Sequence, residues 1–308
     1  MRNHVADSDK HLLREFRRAR AVVKRFGLLK ASKKAASYPG RLLKSRITYL
    51  QSRHLYPENI IFMASFAKSG STWLANMLAD LPGFSRYQPA GWTASFLDNP
   101  NHDIYPGLFE EVGRRLVVIK GHTQGTPENT ARLHQEKRKY LLTVRDPRDQ
   151  MISGYWYLRN HPRHPSHALA MKLDIDEFIS HELDPHLAEI RRTEWLRSWI
   201  ENRDLNLSLL VRYEDLLAST IATLEQILAY FNFDVNEPTI ERIVTSNSFT
   251  KSSGRPPGAE DPTSFFRRGT AGEWKEIFTA DHKAQFSSQM EDLVTALGYE
   301  PTMSSSQA

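Results

Sequence analysis

The stretch Ile60-Ile61-Phe62-Met63-Ala64-Ser65-Phe66-Ala67-Lys68-Ser69-Gly70-Ser71-Thr72-Trp73 constrains this chain most. An apolar run predicts a strand, and a turn of small residues follows it. Trp73, Leu74, Met77 and Leu78 then recur at i, i+1, i+4 and i+5, as on one face of a helix. A strand–turn–helix of this kind aims several backbone N–H groups and the positive helix end at one point, which suits a phosphate. Lys68, Ser71 and Thr72 add a cation and two hydroxyls there. In GxxxxGK[ST] the lysine follows the second glycine, whereas here Lys68 precedes Gly70, the only glycine of the turn. The loop reads as a phosphate cradle, but not of the usual NTPase kind.

Three further apolar runs predict strands: Arg115 to Lys120, Lys139 to Val144 and Leu207 to Tyr213. They lack clean alternation, as expected when both faces of a parallel sheet are covered. Helices are predicted between and after them over Pro127 to Gln135, Pro147 to Leu158, Asp184 to Asn202 and Ser219 to Phe231. Asn160 to His167 and Ser252 to Pro262 read as loops. Strands alternating with helices predict an α/β fold, a P-loop-like three-layer α/β/α arrangement with a central parallel sheet. In such sheets ligands lie beyond the carboxyl ends of the strands, where the polar residues of this chain collect.

Four more segments carry candidate chemistry. Lys120-Gly121-His122 leaves a strand end with a fixed positive charge and a side chain that takes protons near neutral pH. Arg145 also leaves a strand end, and Ser153 follows two helical turns on; a guanidinium and a hydroxyl suit a phosphate monoester. Tyr213-Glu214 ends the last strand. Arg267-Arg268-Gly269-Thr270-Ala271-Gly272-Glu273-Trp274-Lys275 sets paired arginines in a glycine-flanked turn, a second anion site.

At 308 residues with 40% hydrophobic and 25% charged content, the chain reads as one large domain with an appendage. We expect a basic helical extension over residues 1–55, the main domain over 56–300 and a disordered tail over 301–308. Cysteine is absent, which excludes disulfides, thiolate metal sites and thiol catalysis. No apolar run reaches the length of a membrane span and the N-terminus lacks a signal-peptide core, so a cytoplasmic location is expected. The net charge of +5 is concentrated in residues 10–54, where Lys and Arg interleave with Leu, Val and Phe. Such a helix lies on an anionic membrane surface or, as the plainer reading, solubilises the domain it packs on. No nucleic-acid-binding module accompanies the charge.

Taken together and in order, these elements resemble the sulfotransferases that use 3′-phosphoadenosine 5′-phosphosulfate (PAPS). Ala67-Lys68-Ser69-Gly70-Ser71-Thr72-Trp73 resembles the family's 5′-phosphosulfate loop, PKSGTTW, and Arg145 to Ser153 its 3′-phosphate motif. Arg267-Arg268-Gly269 with Gly272-Glu273-Trp274-Lys275 resembles RKGxxGDWK. The resemblance spans roughly Asn59 to Thr279. It implies that Lys68, Ser69, Gly70, Ser71 and Thr72 cradle the 5′ side and that Trp73 lies along the adenine, with Tyr213, Ser248 and Phe249 also at the base. By the same resemblance Arg145, Ser153, Arg267, Arg268 and Gly269 hold the 3′-phosphate.

The implied reaction moves a sulfuryl group to an acceptor hydroxyl or amine and leaves PAP. His122 would be the base, Lys120 would stabilise the moving sulfuryl oxygens, and Lys68 the bridging oxygen. No metal is implied. The acceptor, a small molecule, a carbohydrate or a lipid-linked hydroxyl, is to be shaped by the segments least like the family: Phe84 to Asn101, Asn160 to His167 and Ser252 to Pro262. Trp92, Phe96, Tyr155, Trp156 and Tyr157 are candidate walls or core.

The chain departs from the family at three places. Asn247 stands for a Thr, Ala280 and Ala284 replace the Val and Glu of the dimer motif KxxxTVxxxE, and Gly121 replaces a Thr, which is expected to loosen the strand end. Two alternatives accompany this reading: a P-loop-type nucleotide kinase or NTPase, disfavoured by the position of Lys68, and an inactive nucleotide-binding protein, disfavoured by Lys68, Lys120 and His122 together.

Overall fold

The structure is a computed structural model, and it describes residues 52–92, 102–187 and 192–303. The basic extension, apart from Ser52 to Leu55, lies outside the described residues, as do Phe96 and residues 304–308.

The five strands are β1 (Ile60–Ser65), β2 (Ser85–Tyr87), β3 (Val117–Gly121), β4 (Tyr140–Val144) and β5 (Ser208–Arg212). They form one parallel sheet in the order β2-β3-β1-β4-β5. β1 is buried along its whole length, as a central strand covered on both faces must be. From β1 the chain crosses to the edge strand β2, and from β3 it crosses past β1 to β4, so the connections leave β1 and β3 in opposite directions and open a crevice at the carboxyl ends of that pair. Register makes the strand ends level: Ala64 pairs with Gly121, Ser65 with Thr143 and Val144 with Arg212. Phe66 to Gly70, His122, Arg145 and Tyr213 therefore leave the sheet along one edge.

The helices that position the site are α1 (Ser71–Ala79), α2 (Pro127–Gln135), α3 (Pro147–Arg159), α4 (His167–Lys172), α5 (Ile175–Leu183) and α6 (Arg192–Asn202). α7 (Tyr213–Ala218), α8 (Thr220–Phe231), α9 (Glu237–Ser246), α10 (Phe249–Ser253), α11 (Trp274–Ile277) and α12 (Ala280–Ala296) follow. α2 and α3 begin as their sequences require: Thr126 and Asp146 accept backbone N–H groups of the first turn, and a proline occupies the first helical position.

Three expectations change in detail. Phe84 to Asn101, expected to help shape the acceptor site, contains the edge strand β2 at Ser85–Tyr87, too short and polar to show a period. The helix expected over Asp184 to Asn202 is described only from Arg192, as α6, and Asp184 instead closes the preceding helix. Asp184 is extended ahead of Pro185, terminates α5, and leaves Leu187 54% exposed. α5 itself carries a reciprocal Asp174–Glu177 capping box. Gly121, expected to loosen the strand end, is the last residue of β3 and still pairs with Ala64. Among the described residues no helix is long and apolar enough to cross a membrane.

Candidate active site

β1 delivers the chain into a tight reversal. Lys68 (φ 67°) and Gly70 (φ 72°) both adopt left-handed conformations. At Gly70 a Cβ would lie 2.5 Å from the Tyr213 ring, so the turn admits only glycine. α1 starts immediately after, and no side chain caps it. The first N–H groups of a helix have no intrahelical acceptor, so those of Ser71, Thr72 and Trp73 face the crevice with the positive helix end. Ser69 differs from its neighbours. Its hydroxyl is fully buried and accepts from the Gln150 amide at 2.6 Å, so only its backbone can face a ligand.

The Lys68 Nζ lies over the faces of Tyr157 and Phe265, at 4.4 and 4.5 Å from the ring centroids. Burial, with the nearby charges of Arg145, Lys120 and Arg267, lowers its pKa to about 7. Lys120 donates to the Thr72 hydroxyl at 3.3 Å. Burial and then Arg86 lower its pKa to about 8. Arg86, on the unforeseen strand β2, thus belongs to the same cationic group.

His122 follows β3 by one residue. Its Nδ1 lies 2.8 Å from the carbonyl oxygen of Ser65, the last residue of β1. A carbonyl can only accept, so Nδ1 carries the proton and Nε2 keeps a free lone pair. Burial lowers its pKa to about 4; Lys120 and His102 add to the shift and the Ser65 bond opposes it. The ring is therefore neutral at physiological pH. Its backbone carbonyl, with that of Thr123, accepts from the Trp195 indole on α6.

The other half of the crevice forms around β4 and the glycine-flanked loop. Arg145 stacks on Tyr213 at 4.5 Å, donates to the Thr270 carbonyl at 3.2 Å and faces Asp149 at 3.6 Å. Its buried Nε has no hydrogen-bond partner among the described residues. Asp149 accepts from the backbones of Gly272 and Trp274 and so ties the loop to α3. Arg267 pairs with both Glu260 and Glu273, and Arg268 lies 3.4 Å from Glu273. Gly269 (φ 65°) passes so close to Phe249 that a Cβ would lie 2.4 Å from its ring. One small pocket gathers Lys68, Ser153, Tyr157, Phe265 and Arg267.

Trp73 donates its indole N–H to the Asn247 carbonyl at 2.7 Å and meets Tyr213 edge-on. The Asn247 amide turns to Asp80, while Ser248 caps α10. Thus Lys120, Arg145 and Arg267 lie within electrostatic reach of Lys68, Lys120 of His122, Tyr213 packs on Gly70 and Phe249 on Gly269, so these segments gather at the carboxyl end of the sheet.

Sequence reasoning missed Gln150, Glu260 and His102; at Asp149 it foresees an Arg–Asp pair fixing the loop, as the 3.6 Å approach to Arg145 has it, but not the tie to Gly272 and Trp274. Asp149 sits at the first turn of a predicted helix, where a carboxylate is ordinary, and nothing local reports its loop partners. The His102 signal is a lone histidine. Of the aromatic candidates, Tyr155 is core beside Phe178, Trp92 is buried against His102, and Trp156 and Tyr157 face Arg267 and Lys68. His161 and His167 bond the carbonyls of Tyr157 and Leu158 in the last turn of α3.

A family model described as a sulfotransferase domain matches residues 58–298. Mouse Sulfotransferase 6B1 is 23% identical over 244 residues, covering 77% of this chain and 78% of the relative. Mouse sulfotransferase SULT7A1, solved in complex with PAP, superposes with a TM-score of 0.60 at 22% identity, covering 79% of this chain and 89% of its own. Retinol dehydratase, solved with androsterone and PAP, gives a TM-score of 0.53 at 15% identity, covering 77% and 80%. These two structures share the fold; the match of the family model over most of the chain, with the crevice described above inside it, establishes that the chain belongs to the sulfotransferase family.

Proposed function

We propose that this enzyme transfers the sulfuryl group of PAPS to an acceptor hydroxyl, releasing PAP. The observation that carries the reading is the His122 ring. Ser65 holds its Nδ1–H, which leaves a neutral Nε2 beside two pKa-lowered lysines and an uncapped helix N-terminus.

The residues present fit a nucleotide with two separate anionic groups. The 5′ side takes the Lys68 loop and the N–H groups of α1; the 3′-phosphate takes Arg145, Ser153, Arg267, Arg268 and the Gly269 backbone. The orphaned Arg145 Nε supports the second assignment. Trp73, Tyr213, Ser248 and Phe249 flank the base. When bound, PAPS supplies an activated sulfuryl group whose S–O bond to the phosphate breaks as the acceptor oxygen forms its own.

His122 Nε2 takes the acceptor proton. Lys120, oriented by Thr72, faces the sulfuryl oxygens, and Lys68 faces the bridging oxygen that gains charge. These cations are fixed before reaction and carry little competing hydration, so they favour the charge of the transition state. No step in this scheme needs a metal. Apolar rings border the base: Phe66 meets Trp195 at 5.7 Å, and Trp92 lies behind His102. They suit an apolar acceptor bearing a hydroxyl, the class that androsterone represents in the retinol dehydratase complex.

The test incubates the enzyme with sulfur-35-labelled PAPS and an extract of the source cell, then identifies labelled products by mass spectrometry. Sulfated product is expected, undiminished by excess EDTA. Phosphoryl transfer from ATP that requires Mg²⁺, with no transfer from PAPS, would overturn the reading.

A further inference from the structure

The His122 ring is gripped from a second direction. His102 stacks against it, ring centroids 5.5 Å apart and planes 14° from parallel. Trp92 stacks on His102 in turn, at 4.9 Å and 18°. Stacking of this sort limits rotation of the middle and outer rings. His102 also holds the backbone: its Nδ1 accepts the His122 amide N–H at 2.9 Å, and its carbonyl accepts the Thr123 hydroxyl at 2.9 Å. Nδ1 accepts only if the His102 proton sits on Nε2, so the contact requires a neutral ring. Burial and Lys120 depress its pKa, with Asp103 opposing, in keeping with that requirement.

The surroundings are shaped to keep the stack. His102 adopts φ 48°, a left-handed conformation that a non-glycine residue holds only under constraint. The Trp92 indole is fixed by the Asp103 carbonyl at 2.8 Å. At Gly121 a Cβ would lie 2.7 Å from the Trp92 ring and 2.8 Å from the Thr123 hydroxyl. The glycine that was expected to loosen β3 therefore makes room for the outermost ring of the stack.

We propose that His102 is a positioning residue: it fixes the plane and backbone of His122 so that Nε2 faces the acceptor, with Trp92 and Gly121 holding His102 in turn. The proposal rests on reading His122 as the base. His102 touches no reacting atom; it keeps one rotamer of His122 populated, where small misplacements cost rate steeply.

The test uses the full chain labelled with nitrogen-15 histidine and saturated with PAP, with His122 signals assigned by their loss in His122→Asn. Long-range imidazole spectra read the tautomer of His122, its amide shift reads the hydrogen bond, and calorimetry with PAP reads the nucleotide site. His102→Phe keeps a ring but removes the acceptor; His102→Asn keeps an acceptor but removes the ring. Gly121→Ala displaces Trp92.

In His102→Phe the His122 amide should lose its hydrogen-bonded shift. The ring should become a mixture of tautomers, and initial sulfate incorporation at saturating PAPS should fall about ten- to a hundredfold, while PAP affinity changes less than about twofold. His102→Asn should recover the amide shift and part of the rate, and it preserves the test if the phenylalanine variant does not fold. A single unchanged His122 tautomer and unchanged rate in both His102 variants and in Gly121→Ala overturn the proposal. Failure of the underlying reading looks different: His122→Ala would keep its rate, whatever His102 does to the spectra.

Discussion

Lys68 and Lys120 carry their charge against aromatic faces and a hydroxyl, whereas Arg145 and Arg267, across the same crevice, carry theirs against carboxylates. Among the described residues neither lysine forms an ion pair. The lysine end is electrostatically unsettled: burial and like charge pull the Lys68 pKa down to about 7 and that of Lys120 to about 8, which is the cost of holding cations without counter-ions. The arginine end is neutralised in advance by Asp149, Glu260 and Glu273 and anchored to the fold through Gly272 and Trp274. The first arrangement suits charge that appears only during transfer. The second suits a phosphate that is present throughout and must be recognised by shape. Under the proposed reading, loss of the base beside the lysines alters turnover more than binding, changes at the arginine end alter binding first, and Lys68 contributes to both.

Four experiments break or sharpen that contrast. The largest effect is expected from His122→Ala: about a 10²- to 10⁴-fold loss of sulfate transfer, the range for a general base, with PAP affinity held within a few-fold. Retention of the rate removes His122 from the mechanism. Arg145→Ala should weaken PAP by roughly 1.5–3 kcal/mol, the scale of a charged hydrogen bond, while adenosine 5′-monophosphate loses little. An equal loss for both nucleotides would move Arg145 away from the 3′ side.

The third experiment reads pH. The Lys68 pKa of about 7 lies below the ordinary 10.5, so the free folded protein binds fewer protons than the unfolded chain between those values, and its stability should rise with pH across that window. An anion restores the proton, so PAP binding should take up protons at pH 8 and weaken by up to about tenfold per pH unit above 7. Calorimetry in buffers of different ionisation enthalpy measures the uptake; proton release or none contradicts the assignment of Lys68 to the anion. The smallest effect is expected from Glu260→Gln. Removing Glu260, the more exposed of the two carboxylates on the largely buried Arg267, should tighten PAP by about 0.2–1 kcal/mol; weaker binding would make Glu260 a support for Arg267 instead of a competitor.

The lysine end was far more legible in the sequence than the arginine end. The Lys68 loop announces itself locally: an apolar strand, a small-residue turn with one glycine, and a helix with a clear apolar face follow within nineteen residues, Ile60 to Leu78. α2 and α3 were likewise readable from a capping side chain and a proline at the helix start. The arginine end depends on contacts distant in sequence. Asp149 reaches Gly272 across 123 residues, and Glu260 meets Arg267 only because the loop between them folds back on itself. β2 was lost because three exposed or half-exposed residues carry no period, and the Asp184 boundary because apolar spacing outweighed Pro185. Gly121 shows the limit most plainly. Its meaning lies in a tryptophan ring twenty-nine residues earlier, which no local rule of strand propensity contains.

The central claim is that one crevice holds two separate anionic groups of one nucleotide. The most direct measurement is calorimetric binding of adenosine 3′,5′-bisphosphate against adenosine 5′-monophosphate to the full chain. The account predicts that the bisphosphate binds at least about tenfold more tightly, and that Arg145→Ala abolishes most of the difference. Equal affinities for the two nucleotides in the unaltered protein would contradict it.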